Sequence, residues 1–283
     1  MSGRLVICAT PIGNLEDVTL RVLSGLRDAD VVACEDTRRT RILLDRYEVR
    51  APLVSYHEHN ENERAAELVE RMRAGETVAL VSDAGTPLVS DPGYVLVRAC
   101  VGAGLEVEVL PGPSSVLAAL VASGQPTASW CFVGFLPRKR GELRQALSGP
   151  GVTLVAFESP RRLPGTLALL AELDPDRELA VCRELTKRNE EVVRGPAAVL
   201  AARYSGAPPR GEVVLVLGPG ADRGTGGPPE EALTAVRRLV EAGARPRVAA
   251  KVVAELTGGR ANELYGLVAG RRATKSSQRR TEG

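Results

Sequence analysis

The residues best suited to chemistry lie between Val81 and Tyr94, in the run Ser82-Asp83-Ala84-Gly85-Thr86-Pro87-Leu88-Val89-Ser90-Asp91-Pro92-Gly93. Two carboxylates, three hydroxyls, two glycines and two prolines share these twelve residues. Gly85 and Gly93 permit positive φ or close approach of a ligand to the backbone. Pro87 and Pro92 stiffen the run and remove two N–H donors. A plain connection needs less turn chemistry than this, and Asp83 and Asp91 have no obvious structural task in one. Glu35-Asp36 is a second acidic pair. Proton transfer and a helix cap at Thr37 explain it about equally well. His57 and His59 are the only histidines. Their spacing suits a metal on a strand, but no Cys or third ligand lies near, so a solvated loop is the simpler account and no metal is expected. His57 can still lean over a site. Glu35, Asp36 and His57 are thus the candidate proton acceptors.

The elements that must position these groups follow from apolar patterning. Four-residue apolar runs bounded by turn residues predict strands buried on both faces. They occur over 5–9, 31–34 and 78–81, and 53–56 and 107–110 read as further strands. Helical patterns lie between them, one capped by Asp17 and carrying Val18, Val22, Leu23 and Leu26, others over 60–74 and 116–122, the last stopped by Gly124. A short helix carries Arg38, Arg39 and Arg41. This alternation predicts an α/β domain with a largely parallel sheet over 1–113, its polar loops all at one sheet edge, where open sheets bind ligands. A second α/β domain is expected over 114–219. Its strands fall at 131–133, 153–157, 179–182 and 213–217, its helices at 162–173 and 196–203, and a basic loop spans 137–140. Gly218 to Pro229 holds five Gly and three Pro, so 220–228 is a linker. Three short helices over 229–270 suggest a small helix-turn-helix-like module, and 271–283 is a basic tail.

Composition narrows the function. The chain has 283 residues, 44% of them apolar and 25% charged, which suits a globular protein with two cores. Aromatics are 3%, too few for stacking platforms on single-stranded nucleic acid. Net charge is +2, but Pro228 onward carries 11 Lys/Arg against 6 Asp/Glu, leaving the rest of the chain at −3. Five scattered Cys without a Cys-x-x-Cys pair fit a reducing compartment, and no signal peptide or membrane span is expected, so the predicted location is cytoplasmic. A P-loop, a Gly-x-Gly-x-x-Gly fingerprint after a strand and a Gly-x-Ser-x-Gly elbow are all absent. What remains is a cleft of backbone-rich loops with few catalytic side chains. That suits group transfer in which a cofactor brings the chemistry and the protein brings position. A sulfonium methyl donor fits.

Six segments carry a resemblance to a known family: Thr10-Pro11-Ile12-Gly13-Asn14-Leu15-Glu16-Asp17, Cys34-Glu35-Asp36-Thr37-Arg38, Ser82 to Pro87, Ser90-Asp91-Pro92-Gly93, Leu110-Pro111-Gly112-Pro113-Ser114 and Phe157-Glu158-Ser159-Pro160-Arg161-Arg162. In order and spacing, from Leu5 to Pro219, they resemble the ribosomal RNA small subunit methyltransferase I family, a branch of the tetrapyrrole methylase superfamily of class III S-adenosylmethionine-dependent methyltransferases. Ala9-Thr10-Pro11-Ile12-Gly13-Asn14 replaces the Gly-x-Gly-x-Gly-like loop of the tetrapyrrole branch, which argues against a tetrapyrrole substrate.

The resemblance implies two α/β domains with the cofactor in the cleft between them, usually as a homodimer. It implies 2′-O-methylation of a cytidine ribose in the decoding region of 16S rRNA. S-adenosylmethionine would meet Pro11, Gly13 and Asn14 after the first strand. It would meet Asp83, Ala84, Gly85, Thr86, Pro87 and Leu88 after the fourth, with Ser114 and Ser115 beyond the fifth. On the second domain it would meet Phe157, Glu184 and Leu185, with Glu212, Val213 and Val214. The RNA, naked or in the 30S subunit, would meet Arg38, Arg39 and Arg41, the Arg138-Lys139-Arg140 loop, and Arg161 and Arg162. A small-molecule tetrapyrrole methyltransferase and a non-enzymatic RNA-binding assembly factor are the alternative readings.

Overall fold

The computed structural model describes residues 3–148, 151–220, 230–257, 261–262 and 264–268. Two compact units divide the chain, 1–221 and 222–283. The predicted tail at 271–283 and all of the predicted linker but Gly220 lie outside the described residues.

The first half of unit one alternates strand and helix: β1 (Arg4–Cys8), α1 (Leu20–Asp28), β2 (Val31–Cys34), α2 (Thr37–Arg46), β3 (Leu53–Ser55), α3 (Glu61–Arg73), β4 (Thr77–Val81), α4 (Tyr94–Gly102) and β5 (Glu106–Leu110). The five strands form one sheet in the order β3-β2-β4-β1-β5, and every pairing is parallel. Alternate residues of the strands feed opposite cores. Leu5 and Ile7 pack with Leu68, Met72, Leu96 and Cys100 of α3 and α4. Val6 and Cys8 pack with Val22, Leu26, Leu43 and Leu44 of α1 and α2. The chain therefore leaves neighbouring strands β1 and β4 toward opposite faces. That makes their carboxyl ends a topological switch point, where open α/β sheets bind ligands. One expectation is corrected here: Thr19, not Asp17, caps α1, its hydroxyl accepting the Val22 N–H at 3.2 Å. Residues 15–17 form a separate 3-10 turn, and Val18 lies outside the helix.

The second half contains α5 (Ser115–Ser123), β6 (Trp130–Phe135), α6 (Arg140–Leu147), β7 (Thr153–Glu158), α7 (Leu163–Leu173), β8 (Glu178–Arg183), β9 (Glu191–Pro196), α8 (Ala197–Arg203) and β10 (Val213–Leu217). Its sheet runs β6-β7-β10-β8-β9, with only β6 and β7 parallel. Leucines of α6, α7 and α8 cover one face. The other face packs on Val116, Ala119 and Leu120 of α5 and on Ile12 from the loop after β1. Two elements differ from expectation. β9 is an edge strand whose residues are only half-buried, so it lacks an apolar run. Arg140 opens α6 rather than ending a loop. Cys131 is exposed, while the other four thiols are buried.

In unit two, α9 (Glu230–Glu241), α10 (Pro246–Thr257) and a helical stretch at 261–262 and 264–268 share a small core. Leu233, Val236, Leu264 and Val268 are buried in it, whereas Leu239, which the apolar pattern of α9 also places inward, is exposed. On α10 the buried face is Ala249, Ala250, Val253 and Ala254. The Val248, Val252, Leu256 stripe is exposed, because small alanines allow closer helix contact.

Candidate active site

Loops at the switch point are stitched together by backbone bonds. Thr10 and Gly85 exchange two, N–H to O at 2.8 and 3.0 Å, joining the loop after β1 to that after β4. The Thr10 hydroxyl donates to the Ser82 carbonyl at 3.1 Å. Gly85 has φ of 84°, so a β-carbon there would be strained. The Thr86 hydroxyl reaches the Pro113 carbonyl at 3.4 Å, adding the loop after β5. The Asn14 N–H donates to the Thr186 hydroxyl at 3.1 Å, tying the first half to the second.

Between these loops and the second sheet lies a cavity of about 430 Å³. From the first half it takes Ile12, Ala84, Gly85, Thr86, Val89, Ser90 and Asp91, and from the start of α5, where the second half begins, Ser114, Ser115 and Val116. From the rest of the second half it takes Phe135, Phe157 to Pro160, Cys182, Glu184, Leu185 and Gly211 to Val214. These positions are the carboxyl ends of β6, β7 and β8 and the start of antiparallel β10. Among the described non-glycine residues, five have positive φ, and four of them stand at or beside this cavity: Leu88, Ser90, Glu184 and Thr186. Strained backbone of this kind concentrates where geometry serves a ligand.

The wall's charge is one-sided. It holds Asp91, Glu158, Glu184 and Glu212 and no Lys or Arg. Glu158 is 2% exposed and fully engaged. It accepts the Ser159 N–H at 2.7 Å, the Thr166 hydroxyl at 2.6 Å and the Arg162 guanidinium at 3.0 Å. Glu184 and Glu212 share the Lys187 ammonium at 2.9 and 3.0 Å. The Lys187 hydrogen bond holds the Glu184 carboxyl below its usual range. Asp91 has no cation partner among the described residues. Burial, then the charge of Glu35, push its carboxyl up to about 6, against a lowering hydrogen bond from Ser82.

Eleven residues expected at the cofactor line this cavity: Ala84, Gly85, Thr86, Ser114, Ser115, Phe157, Glu184, Leu185, Glu212, Val213 and Val214. Pro11, Gly13, Asn14, Asp83, Pro87 and Leu88 do not; they build the loops that form it. A β-carbon on Gly13 would fall 2.4 Å from Lys187 Cγ, so this glycine lets the two halves close. Asp83 accepts the Asp36 N–H at 3.1 Å and pairs with Arg39 at 3.3 Å.

Of the candidate proton acceptors, none lines the cavity. Asp36 caps α2, accepting the Arg38 N–H at 2.9 Å, and bonds from Arg38 hold its carboxyl down at about 2. Glu35 stands behind the wall. Burial, then Asp83, raise its carboxyl, while Arg39 and His57 pull it back. The His57 N–H donates to Asn60 Oδ1 at 2.8 Å, and its Nδ1 is buried without a partner. Ile12, Ser90, Asp91, Phe135, Glu158, Ser159 and Gly211 line the cavity without having been singled out as ligand contacts. Ser90, Asp91, Glu158 and Ser159 sit inside the motifs and were findable there. Phe135 and Gly211 carry no signal in the sequence.

The basic groups separate as well. Arg38 pairs with Asp36, Lys139 with Glu142 and Arg140 with Glu172, all on exposed side chains. Arg41, Arg138 and Arg161 are exposed. Arg162 differs: besides Glu158, it donates to the Leu136 and Pro137 carbonyls at 2.7 and 3.0 Å.

The family model of the Tetrapyrrole (Corrin/Porphyrin) Methylases matches residues 4–201. A ribosomal RNA small subunit methyltransferase I from Mesorhizobium japonicum is 46% identical over 268 residues, 92% of this chain and 90% of that one. The chain belongs to this methyltransferase family. A second member, from Thermotoga maritima, is 44% identical over 76% of this chain and 98% of its own length, so about a quarter of this chain has no counterpart in it. Uroporphyrin-III-C-methyltransferase from Thermus thermophilus shares the fold, with TM-score 0.56 and 25% identity over 76% of this chain and 94% of its own. A structure of the Thermus thermophilus uroporphyrin III C-methyltransferase complexed with S-adenyl homocysteine has TM-score 0.55 at 23% identity, covering 76% and 97% of the two chains, a likeness of fold. Together with the cavity at the switch point, membership in the rRNA small subunit methyltransferase I family makes this chain a methyltransferase.

Proposed function

We propose that this chain transfers a methyl group from S-adenosylmethionine to the 2′-hydroxyl of a cytidine ribose in 16S rRNA, in the cytoplasm and as a homodimer. The observation that carries the cofactor is the cavity wall: four carboxylates and, among the described residues, no Lys or Arg, with only Arg162 and Lys187 paired to them from outside it. Such a wall suits a cationic ligand and disfavours a phosphate. The volume, near 430 Å³, lies in the range of small-ligand sites. Apolar Ile12, Phe157, Leu185 and Val214 suit a nucleoside, and the backbone at Ala84–Thr86 and Glu212–Val214 offers donors and acceptors. Bound there, the cofactor supplies a methyl already activated by its sulfonium, with no metal needed. The protein orients the acceptor beside the cavity, excludes water and takes a proton. The named relatives support the RNA as substrate, and exposed Arg38, Arg41, Arg138 and Arg161 offer it phosphate contacts. Leu117 and Val121, one turn apart and exposed on α5, give a second copy an apolar face.

Two measurements test this. Calorimetry should show S-adenosylmethionine binding that survives chelation. Mapping of ribose methylation should show one cytidine of 16S rRNA methylated with the gene and unmethylated without it. Loss of binding on chelation, or an unchanged methylation map, overturns the reading.

A further inference from the structure

One cavity carboxylate has no cation partner among the described residues. Glu158, Glu184 and Glu212 each hold a cation of this chain, Arg162 or Lys187. Asp91 lines the same cavity and holds none among the described residues. Nor do the three candidates drawn from the sequence compete. Asp36 is occupied with the start of α2, and Glu35 and His57 stand outside the wall.

We propose that Asp91 is the catalytic base that accepts the ribose 2′-hydroxyl proton. This rests on the ribose 2′-hydroxyl being the acceptor, as proposed above.

The loop holds Asp91 firmly. Ser90 before it has φ of 67°, Pro92 follows, and Gly93 has φ of 139° at the start of α4. A β-carbon on Gly93 would meet Leu88 at 2.7 Å and Leu80 at 3.0 Å, so the loop closes down on the core at this point. The backbone that carries Asp91 is thereby held at the cavity wall. Across the cavity, Ser90 Oγ stands 3.6 Å from where a β-carbon on Gly134 of β6 would lie, so the loop abuts the second half.

The charges around Asp91 come from several elements. Glu35 at the end of β2 and Asp83 beyond β4 raise its proton affinity, and burial raises it most; Ser82 lowers it. Arg39 on α2 and His57 beyond β3 face Glu35 and temper its charge. Glu158, Glu184 and Glu212 stand on the far wall, each paired. A carboxyl near 6 is still ionised at neutral pH yet binds a proton far better than an ordinary Asp, which is what a base at that pH requires. As the ribose oxygen bonds to the methyl carbon, the carbon–sulfur bond breaks with its electron pair going to sulfur. The hydroxyl proton passes to an Asp91 carboxylate oxygen and later to solvent.

Asp91→Asn keeps the shape and removes the acceptor. Its kcat on 30S subunits should fall by about 10²–10⁴-fold, while calorimetry gives an S-adenosylmethionine Kd weakened by less than about tenfold, the loss of one wall carboxylate. A second readout needs no turnover. Carbon-13 NMR of Asp carboxyls in the free protein should show one resonance titrating near pH 6. It should vanish in Asp91→Asn and move to lower pH in Glu35→Gln, because a neighbouring negative charge is gone. The acid limb of kcat/KM should move down with it. Wild-type kcat in Asp91→Asn overturns the base. So does a Kd weakened more than tenfold, which would make Asp91 a cofactor contact. Wild-type protein that methylates no ribose overturns the substrate reading and the base together, and is thus distinguished from failure of the base alone.

Discussion

Asp83 commits its carboxylate to the chain itself, to the Asp36 N–H and to Arg39. Asp83→Ala should therefore lower S-adenosylmethionine affinity through a loosened loop, at a stability cost of about 1 kcal/mol, since the Arg39 end is exposed. Asp83→Asn keeps an acceptor for the Asp36 N–H and should restore most of both losses. Calorimetry and urea unfolding of the two variants check this; an Asn variant as weak as Ala would mean that the charge itself touches the ligand. Asp91 makes the opposite prediction. Its folded carboxyl, near 6, lies above the ordinary Asp value of 3.8, so the native state binds the proton more tightly. Its contribution to stability is complete at low pH and is lost as pH rises from about 4 to about 6. Asp91→Asn should thus be more stable than wild type at pH 7, by roughly 1 kcal/mol after screening by solvent. That advantage should vanish near pH 4 in unfolding curves. Both aspartates stood out in the sequence as carboxylates without a structural task. Which one faces a ligand was not legible, because the answer depends on Asp36 and Arg39, 47 and 44 positions away in the chain.

At the scale of elements, the turn after β7 is bolted from inside. Glu158 is buried and binds Arg162, Thr166 and the Ser159 N–H, and Arg162 also satisfies two carbonyls before α6. Arg162→Ala leaves a buried carboxylate short of its cation and should cost about 3 kcal/mol of stability. Neighbouring Arg161 is exposed, so Arg161→Ala should leave the melting curve in place and weaken RNA binding instead. Thermal unfolding beside filter binding to 16S rRNA separates the two, and equal effects from both variants would refute the distinction. The sequence presents the pair as one basic motif. Only the fold turns one arginine inward. The three central strands of the first sheet, β1, β2 and β4, were legible because strands buried on both faces read as continuous apolar runs. β9 was not, since Glu191-Val192-Val193-Arg194-Gly195-Pro196 is a half-buried edge strand with polar ends. The walls of the cavity were legible where motifs follow strands, and illegible at Phe135 and Gly211, which pairing across the second sheet delivers.

For the whole molecule, the question is what unit two adds. It has a core of its own, built from α9, α10 and the helical residues after them, and it begins after the last strand of the second sheet. The Thermotoga maritima relative aligns over 98% of its length with 76% of this chain, so a family member exists without a quarter of this one. Removing residues 228–283 should therefore leave S-adenosylmethionine affinity unchanged. The removed piece carries 11 Lys/Arg against 6 Asp/Glu and leaves a body of net −3, so attraction to phosphates must fall. Where those charges meet RNA, each lost phosphate contact to a single strand should flatten the log–log salt dependence of binding by about 0.7. Full-length and shortened protein compared on 30S subunits and on naked RNA, across several salt concentrations, give both numbers. Weaker RNA binding with a shallower slope and an intact cofactor Kd is the expected result. An unchanged slope would mean that unit two does not contact RNA phosphates, and a lost cofactor Kd would mean that the cavity depends on it.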